Sequence, residues 1–228
     1  MEKRHVMIEK QEVQLVGPCS IGVGTLLAAD VIIGHPGKET LLKDRNFLAS
    51  AGAHIGNHCI FRSGTVIYEG VVVGNHVQTA HHVVIREGAR IDDGCVFGNG
   101  SVVREYAVLG QNVRLMEGVV IAEGAIVGDD VFIGPNVSFT AGRYMTGALE
   151  ASGRMTHNLA AEQEGRYWQD PSVIVEGDVR IGANAVILAG VRLGRGCIIA
   201  AGSVVSTNVP PSAMVAGNPA RVLHVSKE

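Results

Sequence analysis

Three histidines fall within seven residues of the chain, in the stretch GNHVQTAHHV that runs from Gly74 to Val83. Imidazole binds metal ions, accepts protons as a general base and also occurs in turns. His76, His81 and His82 therefore suggest a metal site, a catalytic base or ordinary turn residues. The position that the fold gives each histidine decides among these three.

The composition limits the class of protein. With 228 residues the chain can bury a substantial core in one domain or in two small ones. Its formal net charge of -3 indicates neither a nucleic-acid partner nor an acidic membrane. Aromatic residues make up only 4%, whereas glycines number 30 and valine, isoleucine and alanine are frequent. This composition favours a regular β architecture built from small and β-branched side chains.

The N-terminal stretch, MEKRHVMIEKQEVQ, is charged and lacks the apolar segment of a signal peptide. No run of about 18 apolar residues occurs, so no transmembrane helix is predicted. We therefore expect a cytoplasmic protein that contacts no membrane and keeps its cysteines reduced.

A six-residue repeat runs through most of the chain. Every sixth residue from Ile55 to Phe139 is large and apolar in 14 of 15 cases, against 46% expected from the composition, and the exception is Thr79. The residue four positions further on is always small or β-branched, from Cys59 to Val137. Gly, Asp, Asn and His crowd the positions between.

A period of six fits neither a helix nor a plain alternating strand. It predicts a short strand and a tight turn, with the large and the small residue both pointing inward. One such unit cannot bury its face alone, so the units must stack as a solenoid. Cys19, Cys59, Cys95 and Cys197 all take the small inward position, and we expect them to be buried apolar residues.

The pattern resembles that of the hexapeptide-repeat proteins over roughly residues 15–221. The resemblance implies an all-β fold, a left-handed parallel β-helix with three hexads per coil. We expect a single β-helix domain over 1–228, with a length of about 40 Å at a strand spacing of ~4.8 Å. A frame break at 34–48 and an excursion loop at 140–172 interrupt the repeat, and a short C-terminal cap spans 210–228.

The repeat places the histidines at two different kinds of position. His58, His76 and His82 each lie three residues after an inward residue, where Gly and Asn predominate elsewhere. Such residues tolerate a left-handed backbone, so we interpret these three histidines as turn residues. His81 instead takes the outward corner before the turn residue, where it is a candidate for chemistry.

Residues 18 apart are predicted to stack at the corners of successive coils. The column of His81 reads Ser63, His81, Asn99, Glu117 and Pro135. The second column reads Glu69, Glu87, Glu105 and Glu123. The third column reads Asn57, Asn75, Asp93, Gln111 and Asp129. Four glutamates at ~4.8 Å spacing repel one another, so their corner either is well solvated or faces a cationic substrate or a neighbouring subunit.

A zinc site is one alternative. The γ-class carbonic anhydrases share the hexapeptide fold, and that resemblance would require a histidine pair five residues apart and a third histidine two coils earlier. His76 and His81 supply the pair, but the position two coils earlier is Thr40. The position two coils after His81 is Glu117. We therefore expect that no metal is required.

The stretch NVPPSAMVAGNPAR, at 208–221, resembles the closing segment of coenzyme A-dependent hexapeptide acyltransferases. Its paired prolines end the regular coils because they remove N–H donors. The turn at Asn218 and Pro219 would leave exposed amides, and Arg221 offers a cation to a phosphate.

This resemblance implies acetyl-CoA as the acyl donor. It also implies a homotrimer in which coenzyme A lies in the groove between two prisms. Ala183, Ala201 and Gly202 are small corner residues that would let the thin pantetheine arm lie close.

The stretch VFIGPNVSFTAGRYM, at 131–145, resembles the N-acetyltransferases that act on nucleotide-linked amino sugars. In that group a glutamate one coil before an asparagine engages the substrate amine, and the matching glutamate is Glu123. Ala141 and Gly142 replace the Asn-Asp pair of the family's motif, and Met145 replaces its proline. These departures leave the identity of the acceptor open.

Acyl transfer to an amine requires that the amine lose a proton and that charge on the thioester oxygen be stabilised. His81 is the first candidate base, and His157 in the excursion loop is the second. A third option uses no protein base, and Glu123 then only orients the amine. The other predicted acceptor-binding residues are Asn99, Glu117, Arg143 and Tyr144.

The sequence therefore predicts an acetyl-CoA-dependent N-acetyltransferase for an amino sugar, nucleotide-linked in the leading version. The first alternative is an O- or N-acyltransferase for a non-nucleotide acceptor such as an antibiotic intermediate. A γ-carbonic-anhydrase-like metalloprotein and a non-catalytic β-helix used in assembly are the others.

Overall fold

A computed structural model of the chain describes residues 13–140 and 171–225. Almost all of its regular elements are two-residue β-strands separated by turns. In a typical strand such as Val84–Ile85, the first side chain points outward and the second is buried. The alternation places the large apolar residue of each hexad inside, as the repeat predicts.

Three parallel sheets form the faces of the left-handed β-helix, which confirms the predicted fold. Sheet I comprises β1 (Gln14–Leu15), β4 (Ile32–His35), β7 (Val66–Tyr68), β10 (Val84–Ile85), β13 (Val102–Val103), β16 (Val120–Ile121), β19 (Ser138–Phe139), β22 (Val186–Ile187) and β25 (Val204–Val205). Sheet II comprises β2 (Ser20–Ile21), β5 (His54–Ile55), β8 (Val72–Val73), β11 (Arg90–Ile91), β14 (Val108–Leu109), β17 (Ile126–Val127), β20 (Ile174–Val175) and β23 (Arg192–Leu193). Sheet III comprises β3 (Leu26–Leu27), β6 (Ile60–Phe61), β9 (Gln78–Thr79), β12 (Val96–Phe97), β15 (Arg114–Leu115), β18 (Phe132–Ile133), β21 (Arg180–Ile181), β24 (Ile198–Ile199), β26 (Ala213–Gly217) and β27 (Ala220–Val225).

Three edges join these sheets, and each is named here by its residues. The glutamate edge, between sheets I and II, carries Glu69, Glu87, Glu105 and Glu123. The asparagine edge, between sheets II and III, carries Asn57, Asn75, Asp93, Gln111 and Asp129. The histidine edge, between sheets III and I, carries Ser63, His81, Asn99, Glu117, Pro135, Ala183 and Ala201. Backbone hydrogen bonds join successive coils at these edges, as from the N–H of Gly88 to the carbonyl of Glu69, which confirms the predicted 18-residue stacking.

The inward residues of all three sheets form one continuous core. Phe61 and Phe97 are its largest fully buried side chains, and each such residue stabilises the fold by roughly 1.5–3 kcal/mol. Thr79, the one polar residue in the large inward position, is also buried. Its hydroxyl lies 2.8 Å from that of Thr65, another inward residue, so the two satisfy each other inside the coil.

A short helix occupies the predicted frame break. Helix α1 (Lys38–Asp44) leaves the glutamate edge after β4, and the chain returns to sheet II at β5. The helix ends at Arg45, which takes a left-handed conformation at φ 50. Sequence analysis predicted an interruption here but no helix, because a seven-residue helix carries too short a pattern to separate from a loop.

A hairpin closes the upper end of the coil. Strand β26 continues sheet III in parallel, and β27 then pairs with β26 in antiparallel fashion. The turn between them holds a cis peptide bond at Asn218–Pro219. This hairpin is the predicted C-terminal cap. No helix within 13–140 or 171–225 is long and apolar enough to span a membrane.

Candidate active site

The histidine edge brings six of the predicted site residues into one line. The N–H of Gly100 donates to the carbonyl of His81, and the N–H of Gly118 donates to that of Asn99, each at 2.9 Å. The same ladder continues upward, where the N–H of Gly202 donates to the carbonyl of Ala183 at 2.8 Å. Six predicted residues therefore follow one edge in register. They are His81, Asn99, Glu117, Ala183, Ala201 and Gly202.

His81 is an exposed corner residue, and His58, His76 and His82 are turn residues as predicted. The backbone φ angles are 55 for His58, 57 for His76 and 58 for His82, all in the left-handed region. His58 and His76 stack at 5.3 Å between ring centroids on the asparagine edge. His76 and His81 thus lie on different edges, which argues against a shared zinc ion. Within the described parts of the chain, no group of three or more His, Cys, Asp or Glu is arranged to hold a metal.

Most backbone N–H groups of the histidine edge have no acceptor within the described chain, and His81 is the exception. The side-chain oxygen of Asn99 accepts the N–H of His81 at 3.0 Å. In the part of the chain that the structure describes, no acceptor lies at the N–H of Glu117, Ala183 or Ala201. The open donors of Ala183 and Ala201 lie beside small side chains, so an extended ligand with carbonyl oxygens can approach and bind them.

The asparagine edge shows the contrast. There the N–H of Asn57 is bound by Asn75 at 2.9 Å, and the N–H of Asn75 is bound by Asp93 at 2.7 Å. Asp129 binds the N–H of Gln111 in the same way at 2.8 Å. On the asparagine edge, side chains of the coil above therefore accept hydrogen bonds from these backbone N–H groups. The matching N–H groups of Ala183 and Ala201 have no such acceptor in the described chain.

The lower half of the glutamate edge holds the insertion that contains α1. The carboxylate of Glu69 accepts the N–H of Gly37 and the hydroxyl of Thr40 at 2.6 Å each, and the N–H of Ala51 at 3.0 Å. Burial raises the pKa of Glu69, but these three hydrogen bonds outweigh it and leave that pKa lowered. Glu69 is therefore an anchor for the insertion and is not open to a substrate.

The upper half of the glutamate edge alternates carboxylates with arginines. Arg86 pairs with Glu87 at 2.7 Å and with Glu105 at 2.9 Å, and Arg104 pairs with Glu105 at 3.1 Å. The protein's own cations therefore relieve the repulsion expected within the glutamate column. Sequence analysis missed both arginines, although each directly precedes a glutamate of the column.

Glu123 ends this series. Its Oε2 lies 3.1 Å from Arg104 Nη2, and its side chain is only 23% exposed. Burial raises the pKa of Glu123, Arg104 opposes that rise, and Glu105 adds to it. Glu123 and His81 lie on different edges, so one chain does not bring them together. Both edges border sheet I.

Arg143, Tyr144 and His157 lie outside the described residues. The first described range ends at Thr140, directly after β19, which pairs with β16 through Ser138 and Val120. By that register Thr140 lies one coil above Ala122, the neighbour of Glu123. The three roles predicted for Arg143, Tyr144 and His157 stay predictions.

A pocket of about 390 Å³ lies under the C-terminal hairpin. Pro219 and Arg221, both predicted to bind the cofactor, line it, and Asn218 adjoins it in the hairpin turn. Ser206 and Thr207 add two hydroxyl groups to the lining. Sequence analysis missed these two, although a polar run just before two prolines at the end of the coils is a usable signal.

The buried cysteines are poor nucleophiles. Burial raises the pKa of the Cys95 and Cys197 thiols to about 12. Cys59 is buried as well, and Cys19 is half-buried. Chemistry at this site must therefore come from the edges and not from the core.

Three comparisons place the chain among known proteins. Residues 106–141 and 172–207 match the family described as bacterial transferase hexapeptide (six repeats). A 2,3,4,5-tetrahydropyridine-2,6-dicarboxylate N-acetyltransferase of Alkaliphilus metalliredigens is 61% identical over 51 residues, which cover 22% of this chain and 22% of that protein. An enzyme of the same name from Staphylococcus aureus is 45% identical over 56 residues, covering 25% of this chain and 23% of that protein. The match thus spans less than a quarter of the length of these curated relatives.

The solved structure of Arabidopsis UDP-N-acetylglucosamine acyltransferase has the same fold. It aligns with a TM-score of 0.59 and 16% identity, over 96% of this chain and 74% of that chain. Together with the three sheets, this likeness defines a hexapeptide-repeat β-helix protein. The match of residues 106–141 and 172–207 to the bacterial transferase hexapeptide model confirms the resemblance found in the sequence.

Proposed function

We propose that the protein is a coenzyme A-dependent acyltransferase that moves an acetyl group from acetyl-CoA to an amine. The observation that carries the proposal is the upper histidine edge, where the amides of Ala183 and Ala201 are open beside small side chains. Further down the same edge, below Pro135, lie Glu117, Asn99 and His81. A slot for an extended donor and polar groups for an acceptor thus share one edge.

Acetyl-CoA suits the upper end of this edge. Its pantetheine arm is thin and carries amide carbonyls, which the N–H groups of Ala183 and Ala201 can bind. Gly202 has no side chain that would obstruct the arm beside them. The pocket under the hairpin offers hydroxyl groups and the Arg221 guanidinium, the usual partner of phosphate oxygens.

The reaction needs few protein groups. The amine nitrogen attacks the thioester carbonyl carbon, the C–S bond breaks, and the coenzyme A thiolate leaves and takes up a proton. A base accepts the proton that the amine loses, and His81 is the first candidate while His157 is the second. An open corner amide can stabilise the charge on the carbonyl oxygen.

The proposed acceptor is an amino sugar, nucleotide-linked in the leading version. Support comes from the resemblance of 131–145 to such enzymes and from Glu123, a carboxylate suited to an ammonium group. A non-sugar amine is the second candidate. Ala141 and Gly142 depart from the sugar-acting motif, and the curated relatives are named for a tetrahydropyridine dicarboxylate.

A homotrimer is part of the proposal, and the outer face of sheet I supports it. The first, outward residue of the strand is valine in β7, β10, β13, β16, β22 and β25, and no outward strand residue of sheet I in the described chain is charged. Sheets II and III present Arg90 and Arg114 at their outward positions. The cytoplasm is the proposed compartment, since acetyl-CoA is available there.

The test is a panel of amine and hydroxyl acceptors with acetyl-CoA, followed through the free thiol that is released. Saturating coenzyme A at 100 times its dissociation constant should also stabilise the protein by about 2.7 kcal/mol. His81→Ala, His157→Ala and Glu123→Ala should then lower turnover. No stabilisation by millimolar coenzyme A and no thiol release with any acceptor would overturn the proposal, and zinc found by elemental analysis would favour the metalloprotein instead.

A matched pair of variants tests the donor slot. Ala201→Glu should weaken coenzyme A binding about tenfold or more, because it places a carboxylate beside a polyanionic ligand. Ala189→Glu makes the same change at a small corner residue of the glutamate edge and should leave binding unchanged. Equal binding by both variants would remove the upper histidine edge as the donor site.

A further inference from the structure

We propose that Arg104 is a positioning residue for Glu123. Arg104 holds one carboxylate oxygen of Glu123 and leaves the other oxygen free for the ammonium group of the acceptor. This inference rests on the proposed function, in which Glu123 binds the amine. The contacts of Arg104 also explain why Glu123, among the four carboxylates of the glutamate edge, is the one available to a substrate.

The contacts fix Arg104 from two sides. Its Nε lies 3.1 Å from Glu105 Oε2, and its Nη2 lies 3.1 Å from Glu123 Oε2. Glu105 is itself held at its other oxygen by Arg86 Nη2 at 2.9 Å. Arg86 in turn lies over the Tyr68 ring at 4.7 Å. A guanidinium held in this way cannot swing away from Glu123 without also breaking its ion pair with Glu105.

The distribution of charge singles out Glu123. Glu87 uses both oxygens on Arg86, at 2.7 and 2.9 Å, and Glu105 uses both on the two arginines. The carboxylate of Glu69 accepts hydrogen bonds from Gly37 and Thr40 of the insertion. Only Glu123 keeps an oxygen, Oε1, with no partner among the described residues. Three carboxylates face two guanidinium groups, so the series carries one uncompensated negative charge at this end, and one ammonium group would balance it.

The surroundings of Glu123 make the effect measurable through pH. In the described chain the charged groups that face it are Arg104 and Glu105, both on the coil below. Thr140, near it on the coil above, is uncharged. Removing the guanidinium leaves burial and Glu105 unopposed, and both favour the protonated carboxyl.

The experiment measures acetyl transfer to the best acceptor of the panel with Arg104→Met, Arg104→Lys and the control Arg90→Met. Arg90 is an exposed outward residue of sheet II. Arg104→Met should raise KM for the amine about tenfold while KM for acetyl-CoA stays unchanged, and should move the acidic limb of kcat/KM to higher pH. Arg104→Lys should return that limb towards the wild-type position, and Arg90→Met should change neither quantity.

Unchanged acceptor KM and an unchanged pH profile in folded Arg104→Met would overturn the inference. If that variant does not fold, NMR titration of the Glu123 carboxyl in the wild type and in Arg104→Gln replaces it. Equal titration midpoints there would also overturn it. A wild type that acetylates no amine would instead remove the proposed function, while the titration would still decide whether Arg104 controls Glu123.

Discussion

The side-chain oxygen of Asn99 accepts the backbone N–H of His81 from one coil above, at 3.0 Å. Asn57 and Asn75 stand in the same relation on the asparagine edge, at 2.9 Å. An exposed corner amide has no strand partner, so the side chain above it supplies one. The same bond holds the His81 corner in place, and His81 is the first candidate base.

Asn99→Ala should lower the free energy of unfolding by about 0.5–1.5 kcal/mol, since it removes one hydrogen bond at an exposed corner. The His81 amide should also exchange its hydrogen faster. Denaturant unfolding and amide exchange measure the two effects. Asn99→Asp keeps the acceptor oxygen and serves as the control, and an equal loss of stability in both variants would contradict the assigned role.

Gly98 and Gly100 flank Asn99 and are needed for different reasons. A Cβ on Gly98 would lie 2.4 Å from the backbone carbon of Met116 and 2.5 Å from the nitrogen of Glu117. Gly100 has open space around it but a φ of 66. Gly98→Ala should therefore cost about 3 kcal/mol by forcing two coils apart, and Gly100→Ala about 1 kcal/mol through backbone strain alone.

Thermal unfolding compares these two variants, and Gly100→Asn is the control because asparagine tolerates a left-handed backbone. That control should be nearly as stable as the wild type. If Gly100→Ala is less stable than Gly98→Ala, backbone strain costs more stability at this corner than the close approach of the coils, which would contradict the prediction.

Glu69→Gln should loosen the insertion that contains α1. The substitution removes a charge that accepts hydrogen bonds from Gly37, Thr40 and Ala51, so the expected loss of stability is about 1–3 kcal/mol. Hydrogen exchange should rise in peptides covering 36–51 and stay unchanged in those covering 102–121. Uniform change along the whole coil would instead indicate a global effect.

The pH dependence of stability should have opposite signs at Glu69 and Glu123. The folded pKa of Glu69 is lowered, so its contribution is present above the unfolded value of about 4.3 and is lost as pH falls. The folded pKa of Glu123 is raised, so ionising it costs stability as pH rises above the same value. At pH 7 Glu123→Gln should therefore be more stable than the wild type, and Glu69→Gln less stable.

Urea unfolding from pH 3 to pH 7 checks both signs. The gain in Glu123→Gln should vanish below about pH 4, where the wild-type carboxyl is protonated in both states. The loss in Glu69→Gln should shrink towards the same acid limit. A Glu123→Gln protein that is destabilised at neutral pH would mean that the Arg104 ion pair outweighs burial at this carboxyl.

The amino-acid sequence alone was enough for the fold, since the hexad of Ile, Val and Phe with a small inward partner can be buried only by stacking coils. The same period sufficed to align His81, Asn99 and Glu117, because residues 18 apart must share an edge. It also assigned His58, His76 and His82 to left-handed turns. Each of these follows from a local rule repeated many times.

Only the tertiary structure decided which side chains are engaged. It showed that Arg86 and Arg104 neutralise the glutamate column, that the insertion takes Glu69, and that Glu123 lies on another edge than His81. It also showed which corner amides the coil above leaves open. Side-chain pairing depends on distances between coils and on an insertion that has no periodicity. A six-residue repeat predicts neither of them.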